Sequence, residues 1–314
     1  MENKKIIIGT RSSQLAVCQT QKVADNLAEV LPNYEIELKK ITTKGDQILD
    51  RSLAEIGGKG LFIKELEVAL LQGEIDLAIH SMKDMPAELP AELAITAIPQ
   101  RVDYRDALIS ESGVTIDELP TGARIGTGSL RRTAQLLKYR SDLEIVPIRG
   151  NIDTRLQKLK DDELDLDAIV LAVAGLLRMG WEDKITQYLE PEVMLPAAGQ
   201  GALAIETRKE DDRINEIVAA IDDQSTKYSL AAERAFLEHL EGDCQVPIGA
   251  LAEVQGKSIS LEGMVSTLDG ERYLSGAKEG SVDQAAELGV ELAEELIEQG
   301  AEEILKRVRQ ETDK

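Results

Sequence analysis

Apolar and polar positions along this chain switch repeatedly between a two-residue and a 3.6-residue period, and the switches lay out a succession of strands and helices. Residues 4–8 hold the run Ile6-Ile7-Ile8, which reads as a buried strand, and the turn Gly9-Thr10-Arg11-Ser12-Ser13 opens a helix over 14–31. On a helical wheel Ala16, Thr20, Val23, Leu27, Val30 and Leu31 share one face, while Cys18 falls opposite them with Lys22, Asp25 and Glu29. Residues 34–42 alternate like a strand. The polar segment 44–59 shows no period, closes on Gly57-Gly58-Lys59-Gly60 and is expected to be a mobile loop before a helix over 61–72. A short strand over 75–79 then delivers His80-Ser81-Met82-Lys83-Asp84-Met85-Pro86, and side chains just past such strand ends face the ligand crevice of open α/β sheets.

The pattern restarts after Val102. Residues 103–109 lead into a second sheet. Ile125-Gly126-Thr127-Gly128-Ser129-Leu130-Arg131-Arg132 joins a strand to a helix reaching residue 140. Glycines, hydroxyls and two arginines at a helix start make an anion site, because free amides and the helix dipole point to one place. The arrangement recurs as a strand over 143–148, the turn Arg149-Gly150-Asn151 and a helix over 152–160 carrying Arg155. Residues 167–175 form a nearly continuous apolar run expected to be a doubly buried strand, followed by Leu176-Leu177-Arg178. Residues 195–202 read as a return crossover between two similar α/β lobes, with a last strand over 203–206. Helices over 213–222 and 225–240 follow, then strands over 248–254, 258–265 and 271–277, and a closing helix over 282–309 interrupted at Gly300. The expected division is residues 1–100 with 201–221 as one lobe, 101–200 as the second, and 222–314 as a small α+β domain.

Composition narrows the function classes. The 314 residues exceed what one core usually serves. With only 3% aromatic residues, the cores must rest on Leu, Ile, Val and Ala. A net charge of −22 argues against non-specific binding to nucleic acid. No stretch approaches a membrane span, no secretion signal is recognisable, and two cysteines make no disulfide framework, so a cytoplasmic protein is expected. A monomer is also expected. With His80 and His239 the only histidines, a histidine-rich zinc site is excluded and no metal is expected.

Against that acidic background Arg11, Lys59, Lys83, Arg131, Arg132, Arg149, Arg155 and Arg178 all fall at strand ends, in glycine turns or in first helical turns. The excess of arginine over lysine suits bidentate recognition of carboxylates or phosphates, so a multiply charged acidic small molecule is the indicated ligand. Asp84 is the one carboxylate placed among these cations. Cys244 lies in Glu241-Gly242-Asp243-Cys244-Gln245-Val246-Pro247-Ile248-Gly249, a tight loop between a helix and a strand. Alone, a cysteine there is a small packed hydrophobe more often than a reactive group.

Gly9-Thr-Arg-Ser-Ser13, Gly57-Gly-Lys-Gly-Leu-Phe62, His80-Ser-Met-Lys-Asp-Met-Pro86, Ser129-Leu-Arg-Arg132, Arg149-Gly-Asn151, Leu195-Pro-Ala-Ala-Gly-Gln-Gly201 and Cys244-Gln-Val-Pro-Ile-Gly249, in this order, resemble the porphobilinogen deaminase (hydroxymethylbilane synthase) family. The resemblance spans essentially the whole chain. It implies an α/β fold of two type II periplasmic-binding-protein-like lobes plus a small α+β C-terminal domain. It implies a transferase that polymerises four porphobilinogen molecules head to tail, with release of ammonia, on a dipyrromethane cofactor held by a thioether to Cys244. Asp84 would be the catalytic carboxylate, stabilising the positive charge of an azafulvene-like intermediate, with Lys83, Arg11 and Lys59 beside it in the catalytic set. Ser13, Ser81, Lys83, Asp84, Thr127, Ser129, Arg131, Arg132, Arg149 and Gly150 would hold the cofactor. Arg11, Arg149, Arg155, Arg178, Gln200 and Phe62 would hold the substrate, Lys59 and Phe62 belonging to the active-site loop and its base. The reading from another class is a non-catalytic two-lobe binding protein for an anionic metabolite, which explains the arginines but gives Cys244 no role.

Three positions depart from the family's pattern: Glu55 stands where a second loop lysine is common, Gly128 replaces a serine, and Asp243 replaces the glycine before the cysteine. A negative charge beside the anchor disfavours the thiolate and should slow cofactor attachment. Asp243→Gly apoprotein is therefore expected to take up cofactor faster than its parent in a time course of intact mass. Equal rates would remove the idea.

Overall fold

The computed structural model describes residues 5–43, 63–242 and 246–312. They fall into two compact units, 1–102 with 202–226, and 103–201 with 227–314.

The first unit is built on a five-stranded sheet of order β2-β1-β3-β10-β4. Its strands are β1 (Lys5–Arg11), β2 (Glu35–Ile41), β3 (Leu77–Ser81), β4 (Leu93–Ala97) and β10 (Leu203–Arg208). β1 pairs in parallel with β2 and β3, and β10 runs antiparallel between β3 and β4. Side chains alternate across the sheet. Ile6, Ile8, Leu77, Ile79 and Ile205 bury one face beneath α1 (Gln14–Val30), through its Val23 and Leu27, and α6 (Asp212–Val218), through Ile214 and Val218. Ala78 lies on the other face under α2 (Lys64–Leu71), through Leu66 and Leu70. Of the expected face, Ala16, Thr20, Val23 and Leu27 are buried, Val30 is 48% exposed, and Leu31, just past the helix, is half-buried. β4 has no counterpart in the hydrophobic pattern, because only five residues between Pro90 and Pro99 form it and three of them are half-buried. The last strand runs two residues beyond the expected 203–206, since Thr207 and Arg208 pair with Ala94 and Leu93 of β4.

The second unit contains a sheet of the same design, β7-β6-β8-β5-β9. It is formed by β5 (Asp106–Ser110), β6 (Arg124–Gly126), β7 (Glu144–Val146), β8 (Ala168–Ala172) and β9 (Gln187–Leu189). Again one strand, here β6, is flanked by two parallel partners, β7 and β8, and one antiparallel strand, β5, lies between β8 and β9. The two lobes thus share one sheet design. The intervening helices are α3 (Leu130–Tyr139), α4 (Ile152–Leu159) and α5 (Val173–Met179). Leu108, Ile125, Leu136 and Val170 fill one side of the sheet; Ile109, Leu159, Ile169 and Leu176 fill the other. The apolar run 167–175 is not one strand: β8 stops at Ala172, and Val173, Ala174 and Gly175 are the buried first turn of α5. Period alone cannot separate a buried strand from a buried helix start.

The same unit carries a third sheet, the antiparallel β11 (Ile248–Gln255), β12 (Ser258–Ser266) and β13 (Tyr273–Ser281), covered by α7 (Gln224–His239), α8 (Ala285–Glu298) and α9 (Ala301–Thr312). β13 starts later than expected, because Asp269 accepts from Thr267 Oγ1 and from the Glu271 amide at 3.0 Å, drawing 267–272 into a turn. The expected closing helix is two helices, broken at Gly300, whose φ of +104° lies in a region that side chains avoid. A buried carboxylate helps to join this domain to the second lobe. Glu233 of α7, fully buried, accepts from the Gly199 amide at 2.7 Å and the Ala252 amide at 2.9 Å. The Ala250 amide also donates to Pro196 at 2.9 Å, and Lys138 of α3 lies 3.4 Å over the Tyr273 ring.

Phe236 is fully buried at the centre of the third core, against Leu261, Leu292 and Ile304. Phe236→Ala is expected to lower unfolding stability by about 3–5 kcal/mol through lost burial and the cavity left behind, as read by denaturant titration of the third domain's transition.

Candidate active site

In the first unit two neighbouring strands end side by side, Ile8 lying opposite Leu77 and Gly9 opposite Ala78. β1 runs out through Arg11 to Ser13, which caps α1 by accepting the Ala16 amide at 3.4 Å. β3 runs out through Ser81 into a single 3₁₀ turn, Met82–Asp84. That turn is anchored on every side. The Met82 amide donates to Ala202 at 3.0 Å, the Met85 amide closes onto Met82 at 3.1 Å, and Ser81 Oγ lies 3.2 Å from the Gln19 amide nitrogen. Met82 and Met85 are buried at 2% and 7% exposure, whereas Lys83 is half-buried and Asp84 exposed. Two apolar feet thus hold a carboxylate out from a rigid strand end.

In the second unit the corresponding strand ends carry the two predicted anion turns. β6 and β7 pair in parallel and the Thr127 amide continues the ladder to Val146 at 3.0 Å, so 127–129 and 149–151 lie beside each other. A Cβ on Gly128 would stand 2.8 Å from the Ile148 carbonyl oxygen. A serine at this position would need that carbonyl to move. Thr127 is buried and its hydroxyl accepts the Ser129 amide at 3.2 Å. Ser129 and Asn151 stand at the N-cap positions of α3 and α4 without a side-chain capping bond, which leaves first-turn amides for an anion. Arg149 is exposed, and Arg155 is half-buried with Nε donating to Gly150 at 2.8 Å.

Arg131 and Arg132 are placed differently from the open cationic turn that the sequence suggests. Both are buried, at 5% exposure, and both meet Asp106, a fully buried carboxylate that the sequence reading did not single out. Arg131 Nη2 lies 2.8 Å from Asp106 Oδ2 and its Nη1 donates to the Leu195 carbonyl at 2.6 Å. Arg132 reaches Oδ1 through Nε at 3.1 Å and Nη2 at 2.6 Å, and donates to Val170 at 2.8 Å. Gln200, also buried, completes the group by donating to Oδ1 at 3.1 Å and to the Tyr104 carbonyl at 2.8 Å. Burial alone pushes the Asp106 carboxyl up, but the two guanidiniums outweigh it and hold it down at about 2. Arg178 is 8% exposed and donates to Gly201 at 2.6 Å; burial pushes it down to about 10, still charged at neutral pH. A charged residue opening the apolar run Ala107-Leu108-Ile109 was the signal for Asp106, because acids rarely sit in a buried strand unpaired.

Guanidiniums, amide groups and hydroxyls at these strand ends form a donor set that suits a ligand carrying several carboxylates, and so fits a dipyrromethane with its acetate and propionate arms. Among the described residues no cluster of three or more His, Cys, Asp or Glu could hold a metal ion. Cys244, Lys59 and Phe62, with Asp243 and Glu55, lie outside the described residues.

The chain matches two family profiles, "Porphobilinogen deaminase, dipyromethane cofactor binding domain" over residues 6–216 and "Porphobilinogen deaminase, C-terminal domain" over 227–298. It is 52% identical over 311 residues to the porphobilinogen deaminase of Oceanobacillus iheyensis, covering 99% of each chain. It is 51% identical over 308 residues to that of Pelotomaculum thermopropionicum, covering 98% of each. A solved methionine binding protein, MetQ, aligns with 72% of this chain and 93% of its own at 15% identity and a TM-score of 0.43, a likeness too distant to carry an argument. Two profile matches that together span most of the chain, and relatives half identical along nearly all of it, lead to one conclusion: the chain belongs to the porphobilinogen deaminase family.

Proposed function

We propose that this chain is a transferase of tetrapyrrole (heme) biosynthesis that joins four porphobilinogen molecules head to tail onto a dipyrromethane primer, releasing ammonia at each addition, and then hydrolyses off hydroxymethylbilane. Family membership along nearly the whole chain carries the reading. The reading as a non-catalytic binding protein is not favoured, because it leaves that membership and Cys244 unexplained.

Cys244 is assigned as the thioether anchor of the primer, on the third of three domains: residues 1–100 with 201–221, 101–200, and 222–314. When bound, the dipyrromethane supplies the electron-rich pyrrole carbon at which building starts. Loss of the porphobilinogen amine as ammonia leaves a positive charge shared between the methylene carbon and the ring nitrogen. Asp84, exposed on its anchored turn, is assigned to hold that charge and to take the proton released when the ring regains aromaticity. A fixed carboxylate acts on charge that develops in the transition state more than on the neutral reactant, which is what raises turnover. Arg11, Arg149, Arg155 and Arg178 are assigned to the substrate's carboxylates, with Gln200 and the loop residue Phe62. Lys83 and the loop residue Lys59 are assigned to the same catalytic set. Ser13, Ser129, Gly150, Arg131 and Arg132 are assigned to the primer. Arg131 and Arg132 share one carboxylate, so together they offer it one net positive charge. Ser81 and Thr127 hold their turns through Gln19 and the Ser129 amide.

The enzyme is further inferred to be a cytoplasmic monomer that works without nucleic acid or membrane. Its net charge of −22 supports the first exclusion, and among the described residues no helix is long and apolar enough to cross a membrane.

Intact mass spectrometry of the purified protein is expected to find a dipyrromethane adduct that maps to the Cys244 peptide and is missing from Cys244→Ser. An unmodified, folded chain with no turnover of porphobilinogen would overturn the assignment. Asp84→Asn is expected to keep the adduct and the melting temperature while kcat falls by about 10²–10³, the scale of a lost electrostatic group at a reacting centre. Near-normal turnover of that loaded variant would remove Asp84 from the mechanism.

A further inference from the structure

Behind the turn that carries Asp84 lies a buried ionisable cluster with no assigned role. His80 and Ala78 of β3 point to the α2 side of the sheet, and Glu206 of β10, which pairs with Ala78, points the same way. His80 Nε2 and Glu206 Oε2 are 3.0 Å apart, with the two side chains 3% and 0% exposed. The other carboxylate oxygen, Glu206 Oε1, is buried and has no hydrogen-bond partner among the described residues. A second acid, the half-buried Glu67 of α2, is within electrostatic reach of both. Its carboxyl is pushed up by burial and by Glu206 and drawn down by His80. On the same side of the sheet lie the apolar Leu66, Leu70, Ile75 and Ala78.

Such a cluster is a poor way to stabilise a fold. Taking a carboxylate and an imidazole out of water costs more than well-packed apolar residues of the same volume would, and the orphaned oxygen adds to the cost. What the pair does supply is direction: a hydrogen bond between ionisable groups fixes one rotamer of each, and here it ties β3 to β10 at the last strand residues before the turn. On the opposite face Gln19 grips the adjacent Ser81, and the main chain is bonded from Met82 to Ala202. Two successive residues are thus clamped from opposite faces immediately upstream of the reacting carboxylate.

We propose that His80 and Glu206 are positioning residues for Asp84. They act by fixing the exit of β3 and not by touching substrate, so they govern the chemical step and leave binding alone. The proposal rests on the reading of Asp84 as the catalytic carboxylate.

The test uses the cofactor-loaded enzyme and three variants, His80→Gln, Glu206→Gln and the double variant. Each single variant is expected to keep its adduct mass and lose about tenfold in kcat, with KM unchanged within about twofold. The double variant should lose no more than the worse single one, because the two residues act as one unit. The protein has only two histidines, so ¹⁵N-histidine spectra give a readout independent of turnover. Glu206→Gln should move the ring-nitrogen signals of His80 and leave those of His239, which lies 3.9 Å from Glu294 at the surface. Variants with lowered melting temperature but kcat within twofold of an active parent would reduce the pair to packing and overturn the proposal. A parent that binds porphobilinogen without consuming it would overturn the functional reading and this proposal together.

Discussion

A carboxylate removed from water stays ionised only where cations or hydrogen-bond donors meet it, and at Asp106 two guanidiniums do. Asp106 opens β5, the antiparallel strand of the second lobe; Arg131 and Arg132 open α3; Gln200 comes from the crossover. The same arginines bond the carbonyls of Val170 in β8 and Leu195 before the third domain, so one buried charge group joins strand, helix and crossover. Two positive charges on one negative leave a surplus, which the low dielectric of the interior makes felt over a longer range than a surface pair would. A protein of net charge −22 can hold positive potential at chosen strand ends because the cations there are anchored by geometry and not by the average composition.

The two lobes share a sheet order, yet they use it differently. In the first, the exits of β1 and β3 carry Arg11, Lys83 and Asp84, and the 3₁₀ turn after β3 is pinned by buried methionines. In the second, the exits of β6 and β7 carry uncapped helix starts with Arg149 and Arg155 close by. One repeated topology thus presents a carboxylate in one lobe and anion-receiving amides in the other. The third domain is tied to the second lobe by Glu233, whose two oxygens each take a backbone amide, from Gly199 and Ala252. Buried carboxylates recur as structural hubs here: Asp106, Glu206 and Glu233 each hold elements far apart in the chain.

Much of the architecture was legible in the hydrophobic pattern. The helix over Gln14–Val30, the strand exits at residues 80–86 and 125–132, and the three terminal strands all carry local signals of period, glycine and capping. Boundaries were missed where period is ambiguous, as at Ala172, or where a side chain bends the chain into a turn, as Asp269 does before β13. β4 was missed because its stabilisation comes from pairing with β10, which follows more than a hundred residues later. Of the candidate site residues, Arg131 and Arg132 looked like an open anion turn. Their helix start was correctly read, but a buried acid on another strand could not be seen from it.

By itself, the sequence determined which residue types stand at the strand exits, that the ligand they suit is anionic, and which family the chain resembles. These are properties of local pattern: alternation, glycine turns and charge against an acidic background. Only the tertiary structure decided which cations are exposed and which are buried with a carboxylate. Asp106 meets its arginines across 25 and 26 positions of chain, and His80 meets Glu206 across 126. Whether a charge is free for a ligand or neutralised within the fold depends on distance and dielectric, and both are set by packing between segments that no local pattern connects.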